Sequence, residues 1–428
     1  MKAPAASLLT VGFGTTVAMW SMGYLGRLPA VLWPSPVMLP LLLACVLGGG
    51  LVIGRHLGAD LRAAAVAGVV TGALNLLVLG SFLGGNRPGV VVPSAALWVP
   101  GSILVTVMLM LAGAVAGARW LRARRPFENW SGAFVWVAVA ATSLLLAAGG
   151  LVTSAEAGMA VHDWPTSFGY NMFLYPFSRM TGGIYYEHAH RLLGFLVGLT
   201  TLVMAILLAR TEGRGWIRKL AWVALVAVVV QAVLGGLRVT DRNLLLAMVH
   251  GILAQLFFST LVALGAFTSG LWKGDRPGSG RPGVRGDRVF SGIVVLLIVF
   301  QLVLGAAQRH FQQVLFLHIL NGLFVGGVCV HLGFRTWGSN PDQPLLRRLG
   351  LALSGLIGIQ LFLGFGAYLT TRGTDSGTLP ATFDLVVSTL HQWTGAVLLA
   401  LAVSIFCWNQ RLLRTSDACA VESATATR

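Results

Sequence analysis

The chain has 428 residues, of which 56% are apolar and only 10% are charged. A soluble domain carries about 25% charged residues, so a soluble fold of this size could not cover its surface. The composition excludes soluble, disordered, collagen-like and disulfide-rich proteins and predicts a polytopic membrane protein. The formal net charge of +16 therefore concerns membrane topology, and we expect no nucleic-acid partner.

Apolar stretches of about 20 residues recur along the whole chain, and each is long enough to cross the hydrocarbon of a bilayer as a helix. We predict about twelve transmembrane helices and hence an all-α polytopic membrane fold in a lipid bilayer. The predicted spans are 7–25, 36–54, 63–82, 97–118, 132–152, 189–209, 218–237, 247–269, 289–307, 314–334, 348–368 and 386–408.

Basic residues collect in alternate loops, those that follow the even-numbered spans. By the positive-inside rule these loops are cytoplasmic, and so are both termini. The residues are Arg119, Arg122, Arg124, Arg125, Arg210, Arg214, Arg218, Lys219, Lys273, Arg276, Arg281, Arg285, Arg288, Arg335, Arg347, Arg348, Arg411 and Arg414. No transit peptide is recognisable, which favours a multi-pass protein of a bacterial cell (inner) membrane.

Two polar segments, 119–131 and 273–288, are the predicted domain boundaries. They divide the chain into groups of four spans. The predicted divisions are an N-terminal four-helix membrane region, 1–118, two four-helix bundles, 132–269 and 289–408, and a cytoplasmic tail, 409–428. The N-terminal region carries no recognisable site, and the sequence assigns it no role.

The last two groups contain a weak internal repeat. Spans seven, nine and eleven carry Gln231-Ala-Val-Leu-Gly235, Gln301-Leu-Val-Leu-Gly305 and Gln360-Leu-Phe-Leu-Gly364, and span five ends in a related Gly149-Gly150 pair. Each is followed by a predicted outer loop and then by a helix with a histidine in its first turns. These histidines are His190, His250, His318 and His391. We predict two parallel-repeat bundles, which form an eight-helix core with all four histidines at similar depth.

Histidine inside a membrane is costly to bury and by default indicates a functional site. Two imidazoles that face each other in a helix bundle can hold haem iron axially. The repeat predicts one pair in each bundle, His190 with His250 and His318 with His391. The alternative is four separate helix-end histidines, each bonded to a neighbouring carbonyl group.

Glu187 precedes His190 by three residues, so both lie on one face of a helix. The equivalent positions of the other repeats carry Ala247, Leu315 and Ser388. A lone acid beside a metal-bearing pocket can accept a proton or stabilise a developing positive charge. It could instead be a rim residue or a partner for Arg191. The asymmetry predicts that 132–269 performs chemistry and that 289–408 carries a related, non-reactive cofactor.

Several motifs resemble those of the heme A synthase family over about residues 132–408. Glu187-His-Ala-His190-Arg191 is the most specific of them. The others are Asp163-Trp164-Pro165, Gly236-Leu237-Arg238-Val239-Thr240, His250-Gly251, Leu317-His318-x-x-Asn321-Gly322 and His391-Gln392-x-x-Gly395. Many family members carry a cysteine pair in the first outer loop, whereas 153–188 contains no cysteine.

The resemblance implies a reaction, the oxidation of a methyl group of heme O to a formyl group, which gives heme A for cytochrome oxidase. It implies that the first bundle binds the substrate heme O and that the second holds a haem b cofactor. By motif, Glu187 is the catalytic acid, His190 and His250 ligate the substrate haem, and His318 and His391 ligate haem b.

The resemblance also implies partners, whereas the location of the haem sites follows from the positive-inside rule. The expected protein partners are heme O synthase and proteins of cytochrome oxidase assembly. The sequence does not decide whether the protein forms a homo-oligomer. The haem sites are predicted to lie toward the outer side. There Arg191, Arg238 and Arg372 are candidates for contacts with the anionic haem propionates, although solvated interface arginines are the alternative.

Three other classes of protein stay open at this point. A bis-histidine di-haem cytochrome for electron transfer would explain the histidines but leave Glu187 unexplained. A haem transporter would need polar residues near the midplane, of which the sequence shows few. A structural subunit would bind no haem.

Overall fold

The computed structural model describes residues 4–29, 31–121, 127–274, 282–375 and 381–413, without the side chains of 372–375. Within these ranges it contains thirteen α-helices, of which twelve are long and apolar enough to cross a membrane. The predicted all-α polytopic fold is confirmed. The helices are α1 Ala5–Gly26, α2 Ser35–Leu57, α3 Leu61–Leu83, α4 Ala95–Trp120, α5 Trp130–Ser154, α6 Gly182–Thr211, α7 Gly215–Thr240, α8 Leu244–Thr268, α9 Gly270–Lys273, α10 Val284–Phe311, α11 Leu315–Gly338, α12 Pro344–Asp375 and α13 Ala381–Leu412.

The helices form two compact units, residues 1–242 with α1 to α7 and residues 243–428 with α8 to α13. We describe the two units separately. The predicted functional division into bundles 132–269 and 289–408 stays a prediction.

In the first unit, α1 packs against α2, α3 and α5, and α5 packs against α6, which packs against α7. The helices α2 and α4 approach each other closely. Gly50 and Gly54 face Gly113 and Gly117, and a Cβ on any of the four would overlap the backbone of the other helix. Small residues at a spacing of four allow such backbone contact between membrane helices, where lipid offers no hydrophobic gain for association.

In the second unit, α10 to α13 pack together and α8 lies against α10 and α13. The core is apolar, and Val294, Ile298, Val325, Cys329 and Leu353 are each at most 4% exposed. Many large apolar side chains elsewhere in the unit are exposed, among them Phe316, Leu323 and Phe362. Exposed apolar side chains along long helices are suited to contact with lipid.

The loop between α5 and α6, residues 155–181, is the longest described connection. It contains two short 3-10 turns, Met172–Leu174 and Phe177–Arg179, and a bridge between Ser167 and Tyr170. The peptide bond between Trp164 and Pro165 is cis. This 155–181 loop positions most of the polar groups of the candidate site.

Candidate functional site

Glu187 is buried in the second turn of α6, with 2% of its surface exposed. Its Oε2 accepts a hydrogen bond from the Val161 amide at 2.8 Å, and its Oε1 lies 2.9 Å from Arg191 Nη2. A buried carboxylate must be compensated in this way, since burial of an unpaired charge is costly. Glu187 is therefore not an exposed rim residue, and the pairing with Arg191 that the sequence left open is present.

Arg191 joins α6 to the 155–181 loop. Its Nη1 donates to the carbonyl oxygens of Asp163 at 2.6 Å and Thr166 at 3.0 Å. Its Nη2 donates to the Val161 carbonyl at 2.7 Å and to Glu187. Both Nη groups are thus satisfied by the protein itself, and the predicted contact with a haem propionate stays a prediction.

Asp163 organises the tip of the loop. Its carboxylate accepts hydrogen bonds from the Phe168 amide at 2.7 Å, the Gly169 amide at 2.9 Å and the Thr166 hydroxyl at 2.6 Å. Partial burial acts to raise the pKa of the Asp163 carboxyl, but the hydrogen bonds outweigh it and lower the pKa to about 2. Phe168 and Gly169 adopt positive φ angles of 54° and 76°, a strained turn that the charged carboxylate stabilises.

His188 is fully buried on the same helix and also contacts the loop. Its Nδ1 lies 3.1 Å from the Ser167 hydroxyl, and its ring lies 5.0 Å from that of Tyr175. His188 and His190 are two positions apart on α6, so their side chains point to different sides of the helix. His188 contacts the loop and does not share the surroundings of His190.

Two of the resembling motifs meet beside this network. The Trp164 indole lies on Gly236 of α7, where a side chain of any other residue would overlap it. Arg238, two residues further along α7, donates from Nη2 to the Gly158 carbonyl at 3.2 Å and interacts electrostatically with Glu187 and Arg191. The propionate contact predicted for Arg238 also stays a prediction.

Three of the four predicted ligand histidines share one packing geometry. The Cε1 atom of each imidazole lies against a glycine of the preceding long helix, so that a Cβ on the glycine would crowd the ring. The glycine-to-Cε1 distances would be 3.1 Å for Gly149 and His190, 3.0 Å for Gly305 and His318, and 2.8 Å for Gly364 and His391. The weak sequence repeat thus corresponds to a repeated three-dimensional seat for a histidine ring.

His318 and His391 face each other in the second unit. Their ring centroids are 6.4 Å apart and their planes are perpendicular, at 89°. A bond from a metal to an imidazole nitrogen is about 2 Å long. Adding about 1 Å from nitrogen to centroid on each side gives a centroid separation of about 6 Å for a metal-linked pair. The distance between the two rings therefore fits a metal ion held between them, as in bis-histidine haem ligation.

Two glutamines orient this pair. The Gln301 amide nitrogen lies 3.1 Å from His318 Nδ1 and donates to the His318 carbonyl at 2.9 Å, and its oxygen accepts from Asn321 at 2.7 Å. Gln360 donates to the His391 carbonyl at 3.1 Å and accepts from the Thr394 hydroxyl. The hydrogen bonds from the two glutamines to the backbone carbonyls of His318 and His391 fix the positions from which the two rings project.

The sequence indicated Gln301 and Gln360 only as parts of the internal repeat. Asp384 is a further polar residue near His391 that the sequence analysis did not predict. This acid lies in the first turn of α13, two turns before His391, and accepts hydrogen bonds from Thr370, Thr371 and Ser388 at 2.7, 3.3 and 3.0 Å. The signal was available, since an acid two helical turns from a histidine shares its face. Its role is to join the ends of α12 and α13.

Two predicted site residues cannot be added to these groups. His250 lies in α8 of the second unit, whereas His190 lies in the first unit, so their predicted pairing stays a prediction. The Arg372 side chain lies outside the described residues. Among the described residues, no three His, Cys, Asp or Glu side chains form a group that could hold a metal ion.

The fold and these side chains define a class of protein, an all-α multi-pass membrane protein in which histidine rings pack against glycines of neighbouring helices. Residues 132–315 match the family model described as cytochrome oxidase assembly protein, COX15-CtaA. The resemblance to this family is therefore confirmed over 132–315, and the match supports a role in cytochrome oxidase assembly. A comparison with curated proteins found none that matches the chain.

The matched segment contains Glu187, Arg191, His190 and His250 but ends before His318. The assignment of His318 and His391 thus depends on their geometry and on the motifs around them.

Proposed function

We propose that this protein is a heme A synthase, a membrane oxidoreductase that converts a methyl group of heme O to a formyl group. The observation that carries the proposal is the buried Glu187, paired with Arg191 on the helix that carries His190, within the segment that matches the family. The other three repeats carry no acid at this position, so chemistry is expected at only one of them.

In this proposal His190 and His250 would ligate the iron of the substrate haem, and an external oxidant would accept the electrons that the methyl group loses. Glu187 stabilises positive charge that develops at the methyl carbon as electrons leave it. Because Glu187 already accepts two hydrogen bonds, we favour this electrostatic role over that of a proton acceptor. Arg191 and the Val161 amide hold the carboxylate in place, and the 155–181 loop excludes water from it.

We further propose that His318 and His391 hold a haem b. The fit of the two rings to a metal-linked pair, with Gln301 and Gln360 fixing their helices, supports this role. Two neutral imidazoles suit a low-spin haem that transfers electrons and does not bind substrate. An electron-transfer cytochrome is the second candidate function, since this pair alone would serve it.

Purification of the protein and extraction of its haems tests the proposal. Heme A or a hydroxylated heme O together with haem b is the expected result. Haem b alone would instead favour the electron-transfer cytochrome, and a protein without haem would favour a structural subunit. A transporter would release its haem unchanged.

The ligand assignment needs matched variants. We expect His318→Met and His391→Met each to change the absorption spectrum of the haem b, because methionine is a weaker, differently shaped ligand. His331→Met is the control, since His331 lies on α11 as well but packs against Phe290. Equal spectra for all three variants would contradict the assignment.

A further inference from the structure

The N-terminal helices α1 to α4 have no part in the proposed chemistry, yet α3 and the connection after it contact the 155–181 loop. We propose that this N-terminal region positions the 155–181 loop, and that the loop in turn positions Arg191 and Glu187. The inference rests on the proposed function for its effect on catalysis. The structural part of the inference is that α3 and the connection after it hold the loop, and this part does not depend on the proposed function.

The first contact is backbone against backbone. Gly80 in the last turn of α3 faces the Phe173 carbonyl, and Gly84 at its end faces the Leu174 carbonyl. A Cβ on either glycine would lie closer to that oxygen than real Cβ atoms come. The 3-10 turn Met172–Leu174 is thus seated directly on the end of α3.

The second contact is a polar latch formed by Asn86, Tyr170 and Arg179. The Asn86 carbonyl, in the connection between α3 and α4, accepts a hydrogen bond from the Tyr170 hydroxyl at 2.8 Å and one from Arg179 Nη2 at 3.3 Å. Arg179 Nη1 also donates to the Tyr170 hydroxyl at 3.1 Å. Tyr170 is buried, with 4% of its surface exposed, so its hydroxyl depends on this latch for a partner.

Aromatic contacts extend the same interface. Phe82 of α3 stacks on Phe177 of the loop at 4.6 Å, and the Arg27 guanidinium lies 5.8 Å from the centre of the Phe177 ring. The Tyr185 hydroxyl of α6 donates to the Tyr24 carbonyl of α1 at 2.9 Å. The N-terminal region therefore contacts both the loop and the helix that carries Glu187.

A short path leads from the latch to the acid. Tyr170 exchanges two backbone hydrogen bonds of 3.0 Å with Ser167, whose hydroxyl contacts His188. The carbonyl of the preceding residue, Thr166, accepts from Arg191, which pairs with Glu187. A shift of the loop at Tyr170 would therefore move the carbonyl groups that hold Arg191.

The test uses the full chain and the variant Gly80→Ala, whose new methyl group would push the loop away from α3. The matched control is Gly101→Ala in α4, where nothing lies within 4 Å of the added Cβ. Hydrogen–deuterium exchange of the amides of 161–175 reports the loop, and the ratio of heme A to heme O reports catalysis. Tyr170→Phe is the second variant, because it removes one hydrogen bond and keeps the ring.

We expect Gly80→Ala to speed exchange of the Val161 amide and its neighbours roughly tenfold or more, the effect of overpacking a close contact. Tyr170→Phe should speed it about fivefold, as the loss of one ordinary hydrogen bond implies. Both variants should lower the ratio of heme A to heme O and keep haem b, whereas Gly101→Ala should change neither quantity.

Unchanged exchange in Gly80→Ala and Tyr170→Phe would overturn the proposal. Faster exchange with an unchanged ratio of heme A to heme O would overturn the positioning of Glu187. If the unsubstituted protein makes no heme A, the proposed function fails, and exchange of the Val161 amide alone then decides whether the N-terminal region holds the loop.

Discussion

At the scale of single residues, the protein buries a carboxylate and compensates it completely. Glu187 and Glu212 are both buried acids of the α6 region, and each is paired with an arginine. Glu212 at the far end of α6 bonds Arg214 at 2.9 and 2.8 Å. Both acids are buried and paired with an arginine, but they lie at opposite ends of α6. Glu212 can therefore serve as a control for Glu187.

We expect Glu187→Gln to lower the rate of heme A formation by about 10²–10³-fold, which is the usual loss when one preorganised electrostatic group is removed. Glutamine keeps the volume but loses the charge. Heme O or a hydroxylated intermediate should accumulate, while the haem b spectrum is retained. Haem extraction and absorption spectroscopy measure these quantities.

Glu212→Gln is the matched control and should leave the ratio of heme A to heme O unchanged. Amide exchange at Val161 separates two causes of a loss in Glu187→Gln. A large loss with normal exchange identifies a direct role in catalysis, and a loss that scales with faster exchange identifies an anchor for the loop. A normal rate of heme A formation in Glu187→Gln would remove the catalytic assignment.

Asp163 gives the loop a defined dependence on pH. Its pKa is lowered from 3.8 to about 2, so the folded loop favours the charged carboxylate. Such a group stabilises the loop fully above its unfolded pKa and loses the effect as the pH falls through its folded pKa. The stabilisation should therefore be constant above about pH 4 and disappear between about pH 4 and pH 2.

Amide exchange of Phe168 and Gly169, corrected for the intrinsic dependence of exchange on pH, measures this effect. In Asp163→Asn the protection of these two amides should be weaker and should not vary across the same interval. A protection that falls already between pH 7 and pH 5 would show that another group controls the turn.

At the scale of helices, the repeated unit is a pair in which a glycine of one helix leaves room for a histidine ring of the next. In two pairs a glutamine four residues before the glycine bonds the histidine backbone, as Gln301 and Gln360 do. The α5 and α6 pair has Leu145 at that position, and His190 therefore lacks this glutamine. The candidate haem b histidines are thus held differently from the candidate substrate histidine.

We expect Gly364→Ala to weaken haem b retention by about tenfold, since its methyl group would lie 2.8 Å from His391 Cε1 and overpacking costs about 1–3 kcal/mol. Gly355→Ala in the same helix is the control, because nothing lies within 4 Å of its Cβ. Both substitutions favour the helix equally by backbone propensity, so only the clash differs. The measurement is the haem b content per polypeptide. Equal content in both variants would contradict a role of the contact between Gly364 and His391 in holding the haem.

The start of α6 differs from the start predicted from hydropathy. The sequence predicted span six over 189–209, but α6 begins at Gly182. The polar residues Glu187 and His188 interrupt the apolar window and so moved the predicted start. In the structure both are buried because the 155–181 loop supplies their hydrogen-bond partners, and a hydropathy window does not include such partners.

At the scale of the whole molecule, the orientation in the membrane stays a prediction from the arginine-rich loops. A reporter that is active only in the cytoplasm, inserted within 273–288, should be active, because the positive-inside rule places that segment inside. The same reporter inserted at Arg87 should be silent, since that connection is predicted to lie outside. The opposite pattern would reverse the orientation of the haem sites.

Composition and patterning alone determined the twelve spans, the all-α class and the four histidines in register. These features depend on local hydropathy and helical spacing, which a sequence displays directly. Only the tertiary structure decided that Glu187 is paired with Arg191, that three histidines rest on glycines and that α3 supports the 155–181 loop. Those facts depend on which distant backbone groups come together, as when the Asn86 carbonyl meets Tyr170, 84 residues further along the chain.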